Sequence, residues 1–147
     1  MQPGDADRVS RLVLDSFDEF IGPEYGEAGR LEFRRYAESA ALERRSRTDH
    51  FILLAEVGGH LAGMIEIRQN DHVALLFVDK PFHHQGVARA LVDQAITRAR
   101  SKRPDLEHFT VNSSRYGVPA YEKLGFVQTG PERTITGIVF IPMAKRL

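Results

Sequence analysis

Six consecutive apolar residues, Val73-Ala74-Leu75-Leu76-Phe77-Val78, run into Asp79-Lys80-Pro81 and then, beyond a short polar stretch, into a helical stripe. A strand with water on one side alternates apolar and polar residues. This one does not, so both of its faces have to be covered, which places it at the centre of a sheet with helices on both sides. The stripe that follows, Val87, Ala88, Leu91, Val92, Ala95, Ile96 and Ala99, lies on one face of a helix from about Gly86 to Arg100 and supplies one of those covers.

The rest of the chain can be read around that unit. Val9, Leu12, Val13, Phe17, Phe20 and Ile21 recur at helical spacing, with Asp5 placed to cap the first turn and Gly22-Pro23 to end the pattern. A second helix is predicted from about Glu27 to Arg45, with Leu31, Tyr36, Ala40 and Ala41 as its inner stripe. Phe51–Val57 and His60–Arg68 read as strands joined by a Gly58-Gly59 turn, and Gln69-Asn70-Asp71 turns the chain into the central strand. Glu107–Asn112 reads as a strand, Pro119–Leu124 as a short helix stopped by Gly125, and Phe126–Thr129 and Ile135–Ile141 as late strands. The expected class is α/β (α+β), with one domain over residues 1–147.

Charge and composition narrow the function. Twenty Lys and Arg balance twenty Asp and Glu, which speaks against a nucleic-acid partner. The absence of cysteine removes disulfides, thiolate nucleophiles and Cys-based zinc sites. The polar start, Met1-Gln2-Pro3-Gly4-Asp5, has no apolar run behind it, and no stretch is long and apolar enough for a membrane span. A cytoplasmic protein with no membrane partner is the expectation.

Two segments carry chemistry. In His83-His84-Gln85-Gly86-Val87-Ala88-Arg89 a strand feeds a tight loop that opens into a helix. The first N–H groups of a helix have no internal acceptor and sit at the positive end of its dipole, so they hold anions such as a pyrophosphate. Gly86 and Ala88 would let phosphate oxygens approach, and His83, His84 and Arg89 would add side-chain donors. The competing reading is a β–α turn in which Gly86 only supplies unusual dihedral angles. A metal site on His83-His84 is not expected, because adjacent histidines diverge and no third ligand lies at a recognised spacing. The second segment is Val111-Asn112-Ser113-Ser114 followed by Tyr121-Glu122-Lys123-Leu124-Gly125-Phe126.

Taken together, these segments resemble the GNAT superfamily of acyl-CoA-dependent N-acyltransferases. The family's phosphate loop, Gln/Arg-x-x-Gly-x-Gly/Ala, is matched by His83-His84-Gln85-Gly86-Val87-Ala88, with His83 in place of Gln or Arg. Its later signature is matched by Asn112 and Tyr121–Phe126. The order of elements matches over nearly the whole chain. The resemblance implies a mixed, mostly antiparallel twisted sheet, splayed at its centre, with helices on both faces. It implies acetyl-CoA as cosubstrate and no metal: the pantetheine arm beside Leu76-Phe77-Val78, the pyrophosphate on the N–H groups from His84 to Arg89, and Asn112 across the gap. His83, as an imidazole, still donates to phosphate, so altered affinity with the site retained is expected.

The implied reaction moves an acetyl group onto the primary amine of a small molecule or peptide by direct attack. Tyr121 acts as general acid for the departing thiolate. Glu66, on the neighbouring strand, and Asp79, at the mouth of the central strand, are the candidate bases. The plainer reading of Glu66 is a solvated carboxylate sharing a face with Met64 and Arg68. The acceptor surface is expected from the first two helices, residues 22–29 and the late strands, with Phe17, Phe20, Tyr25 and Phe33 as candidate lining, although the plainer reading of most of the four is core packing. The alternatives are a CoA-binding sensor without turnover and an acyltransferase acting on aminoacyl-tRNA. The family often forms homodimers, and nothing in this sequence marks an interface.

Overall fold

The apolar run does lie at the centre of the sheet, and one extra residue within it shapes the molecule. The computed structural model describes residues 1–147. Its seven strands are β1 (His50–Val57), β2 (His60–Arg68), β3 (His72–Val78), β4 (His108–Ser113), β5 (Val127–Gln128), β6 (Arg133–Ile135) and β7 (Ile138–Arg146). They are ordered β1-β2-β3-β4-β7-β5, with β6 paired to β7. Every pairing is antiparallel except β3 with β4.

Glu66 of β2 faces Leu75 of β3, yet the next residue, Ile67, faces Val73, so Ala74 is a bulge. A bulge moves the residues beyond it to the opposite face and increases the local twist. Val73 accordingly packs in one core and Leu75, two residues on, in the other. The run lacks alternation both because its faces are covered and because it is bulged. The parallel pairing to β4 covers only His72–Thr110 and Val73–Val111, and it stops where the bulge begins. From there the two strands part.

Each face of the sheet carries a core. On one side α4 (Val87–Lys102) and α5 (Val118–Lys123) bury Leu91, Val92, Ala95 and Leu124 against Ile65, Ile67, Phe109 and Met143. On the other, α1 (Ala6–Phe20), α2 (Glu27–Ala37) and α3 (Ser39–Ser46) pack Val9, Val13, Ala37 and Leu42 on Ile52, Met64 and Leu75. Full burial of each large aliphatic side chain contributes roughly 1.5–3 kcal/mol. Gly63 on β2 lets α4 settle close to the sheet, since a Cβ there would lie 3.0 Å from the Phe77 carbonyl and 3.1 Å from Val87. No helix is long and apolar enough to cross a membrane.

Three sequence expectations require correction. The helix predicted over 27–45 breaks at Glu38, which is extended (φ −61°, ψ 147°). Ser10 Oγ donates to the Ala37 carbonyl at 2.7 Å, fixing the end of α2, and the chain restarts as α3 at a new angle. Leu31 is half exposed, and the buried positions are Gly29, Ala37, Ala41 and Leu42. The strand predicted over Ile135–Ile141 contains the β6–β7 turn, where Thr136 (φ 54°) and Gly137 (φ 75°) reverse the chain, and β7 runs on to Arg146. Finally, the Asp5 carboxylate does not cap α1; it accepts from the Gln2 N–H at 2.6 Å and from Arg8 Nε at 3.1 Å.

Candidate active site

The divergence of β3 and β4 opens a cleft of about 650 Å³, lined by β3 on one side and β4 with α5 on the other. The backbone groups of β3 beyond the bulge that face β4 have no strand partner. Leu76, Phe77 and Val78 line this wall, and Asn112, Ser113 and Tyr121 line the opposite one.

At one end of the cleft lies the turn into α4. His84 (φ 62°) and Gly86 (φ 79°) both adopt left-handed backbone conformations, so the chain coils tightly just before the helix starts. The six backbone N–H groups from His84 to Arg89 donate to no other group of the protein; the first helical donor is Ala90, to the Gly86 carbonyl. His83, His84, Gly86, Val87, Ala88 and Arg89 line the cleft, so this cluster of donors at the positive end of a sixteen-residue helix borders it. A Cβ placed on Gly86 would meet nothing within 4 Å, so its role is the left-handed dihedral angle and open access to the main chain.

Side chains in this loop are more committed than their residue types suggested. His83 Nε2 lies 2.7 Å from the Val78 carbonyl, which only accepts, so Nε2 carries the hydrogen and ties the loop to the end of β3. Gln85 donates to the Pro81 carbonyl at 3.0 Å and is not part of the lining. Arg89 Nη2 donates to the Lys123 carbonyl at 2.7 Å, binding α4 to the C-terminal end of α5. That contact and the edge-to-face packing of Tyr121 on Phe126 (5.3 Å between centroids) hold Tyr121 in the cleft wall. Its phenol bonds to no protein group, and burial raises its pKa above the ordinary value. It therefore stays protonated at neutral pH and available as a donor.

The two candidate bases do not reach this site. Glu66 is fully buried on the α3 side of β2. Its carboxylate accepts from Arg45 Nε at 2.8 Å and Nη2 at 2.9 Å, and contacts His50 Nδ1 at 2.7 Å. It is neither solvated nor part of the cleft lining, because the face it shares with Met64 points into the second core. Asp79 accepts from the Lys80 N–H at 3.0 Å, capping the short turn Lys80–Phe82, and also lies outside the lining.

The four aromatic residues singled out from sequence, Phe17, Phe20, Tyr25 and Phe33, all line the other half of the cleft. Ser16, Phe82 and Tyr116 join the lining without having been singled out from sequence. Tyr116 carried a legible signal, an aromatic residue in a polar loop between a strand and a short helix. It stacks on Phe20 at 5.0 Å, and Phe20 also lies 5.4 Å from His83, so Phe20 bridges the two walls at the mouth.

A family model described as an acetyltransferase (GNAT) domain matches residues 21–147. Among solved structures, the chain is similar to a GCN5-related N-acetyltransferase from Rhodopseudomonas palustris, with 20% identity and a TM-score of 0.84 over 100% of this chain and 92% of that one. It is similar to the PaiA N-acetyltransferase from Thermoplasma acidophilum in complex with coenzyme A, with 18% identity and a TM-score of 0.80 over 100% and 96% of the two chains. It is also similar to an aminoglycoside 6′-N-acetyltransferase complexed with coenzyme A, with 15% identity and a TM-score of 0.68 over 99% and 92%. At these identities the likeness is one of fold.

Proposed function

The chain belongs to the GNAT acetyltransferase family, and from that premise we propose that it moves the acetyl group of acetyl-CoA onto a primary amine by direct attack. The observation that carries this reading is the set of six backbone N–H groups, His84 to Arg89, that lack protein acceptors at the positive end of α4, beside the gap between β3 and β4. Such a cluster suits a diphosphate. Coenzyme A bound to the two solved relatives supports the same cosubstrate here.

When bound, acetyl-CoA supplies an activated thioester. The residues of this chain do the rest. The N–H groups from His84 to Arg89 hold the diphosphate, the unpaired backbone of Leu76–Val78 pairs with the amide-bearing arm, and Asn112 contacts it from β4. His83 acts by anchoring the loop through Val78, with its other ring nitrogen left over. Tyr121 donates its phenolic proton to the departing sulfur, a contribution typically worth ~10²–10⁴-fold in rate. The sequence has no cysteine to carry a thioester-linked intermediate, in keeping with direct attack. No Asp or Glu side chain lines the cleft, so the amine is taken up as its free base and its proton leaves to solvent at the mouth.

The test is thiol release from acetyl-CoA with a panel of amines, alongside a melting curve with and without coenzyme A. Amine-dependent thiol release is expected. A shifted melting curve with no thiol from any amine would favour a CoA-binding sensor, and an unmoved curve with no thiol would overturn both.

A further inference from the structure

The acceptor half of the cleft has a composition that selects a chemical class. Phe17 and Phe33 stack face to face, with centroids 3.9 Å apart and planes at 9°. Phe77 of β3 lies 6.0 Å from Phe33, and Tyr25 meets Phe17 edge-on at 5.3 Å. Tyr25 donates its hydroxyl to the Val139 carbonyl at 3.0 Å, so it offers the site a ring and not a polar tip. Glu19 and Glu24, next in sequence to the lining residues Phe20 and Tyr25, have partners already: Glu19 with Lys80 Nζ at 2.9 Å, and Glu24 with the Tyr116 N–H at 3.1 Å. A polycation entering here would set its ammonium groups against ring edges without a counter-ion, since the facing sides of Phe17 and Phe33 cover each other.

Ser16 is the exception to this apolar character. It is only 7% exposed, lines the cleft, and lies one turn before Phe20 on α1. Its hydroxyl bonds to no other protein group, although a helical serine commonly bonds back to the preceding turn. The oxygen is open to the cleft and accepts an N–H.

We propose that the acceptor is a primary amine on an aromatic or bulky apolar body, bound as the neutral base against Phe33 and Phe77, which the buried Phe17 and Tyr25 back, with Ser16 Oγ accepting a hydrogen bond from its nitrogen. The proposal rests on the acetyltransferase reading and narrows its substrate. In the reaction the amine nitrogen forms the amide bond and the carbon–sulfur bond breaks. The sulfur takes the Tyr121 proton, the proton lost from nitrogen goes to solvent, and solvent returns one to the Tyr121 phenolate.

Phenethylamine and spermidine, each with acetyl-CoA, separate the outcomes. Phenethylamine is expected to exceed spermidine in kcat/KM by on the order of 100-fold. Equal or reversed preference overturns this inference while leaving acetyl transfer standing. Calorimetric titration of each amine into the protein saturated with coenzyme A reads binding without turnover. Phenethylamine should bind, its apparent affinity rising about tenfold for each unit by which pH is raised toward its own pKa, because only the free base enters. A flat pH dependence, or tighter binding of spermidine, overturns the inference. Phenethylamine binding with no thiol release from any amine would instead sink the transfer reading. Ser16→Ala should raise KM for phenethylamine about 5–10-fold, with the KM for acetyl-CoA and the melting temperature unchanged. An unchanged amine KM removes Ser16 from the site.

Discussion

Tyr121 meets three requirements of a proton donor at once: it faces the cleft, its phenol has no protein partner, and its partial burial keeps the proton on oxygen. Tyr121→Phe retains the ring contact with Phe126. It should lower kcat by ~10²–10⁴-fold with little change in the affinity for coenzyme A; unchanged kcat, with chemistry shown to be rate-limiting, would exclude the role. His72 is a different kind of titrating residue. Its Nδ1 lies 2.7 Å from Thr110 Oγ1, and burial, aided by the charge of Arg68, pushes its pKa down to about 4. Between about pH 6.5 and 4 the unfolded chain therefore takes up a proton that the folded chain refuses, so stability is full above that window and falls as pH drops through it. In melts across that range, wild type should lose more stability than His72→Gln, and parallel losses in the two proteins would show that His72 does not contribute. Glu66 marks where residue-level reading stopped. Strand adjacency placed it near the central strand, but which side of β2 it faced, and that Arg45 and His50 waited there, depended on helices far away in sequence.

The extra residue at Ala74 and the break at Glu38 are the two irregularities that shape the fold, and only the first opens the site. The bulge ends the β3–β4 pairing and so opens the cleft. The break turns α3 so that Arg45 reaches Glu66, donates to the Tyr36 carbonyl at 2.6 Å and lies 3.6 Å over the Tyr36 ring. One side chain thus fastens α2 and α3 to β2. Truncating it in Arg45→Ala leaves a fully buried carboxylate with only His50 as partner, and unfolding stability should fall by about 3–5 kcal/mol. A denaturation midpoint within error of wild type would show that α3 is held by packing alone. Neither irregularity was legible in advance. Bulges leave no mark in an apolar run, and around Glu38 there is no glycine or proline to announce a break. By contrast, the two hairpin turns at Gly58-Gly59 and Gln69-Asn70 were read correctly: all four residues take positive φ, a conformation for which such turns select Gly and Asn, and Gln69 adopts it beside Asn70.

In the whole molecule the sheet is continuous at one end of the β3–β4 seam and open at the other, with a separate core on each face. A cosubstrate spanning the opening would contact both halves and stabilise the fold as a unit. Acetyl-CoA at about 100 times its dissociation constant should add roughly 2.7 kcal/mol, equivalent to a rise in Tm of about 5–11 °C for a chain of this size. An unmoved Tm at saturation would mean that the cleft does not hold it. The covered central strand, the helices on both faces and the loop at Gly86 were readable from residue order, because periodicity, turn chemistry and helix-end chemistry act over a few neighbours, whereas Asn112 and Tyr121 were singled out only through the family resemblance. Tertiary packing decided the rest: the bulge at Ala74, the burial of Glu66 against Arg45, and the gathering of Ser16, Phe33 and Phe77 around one cleft. These depend on which distant elements come to lie against each other, and only the packed chain brings those surfaces together.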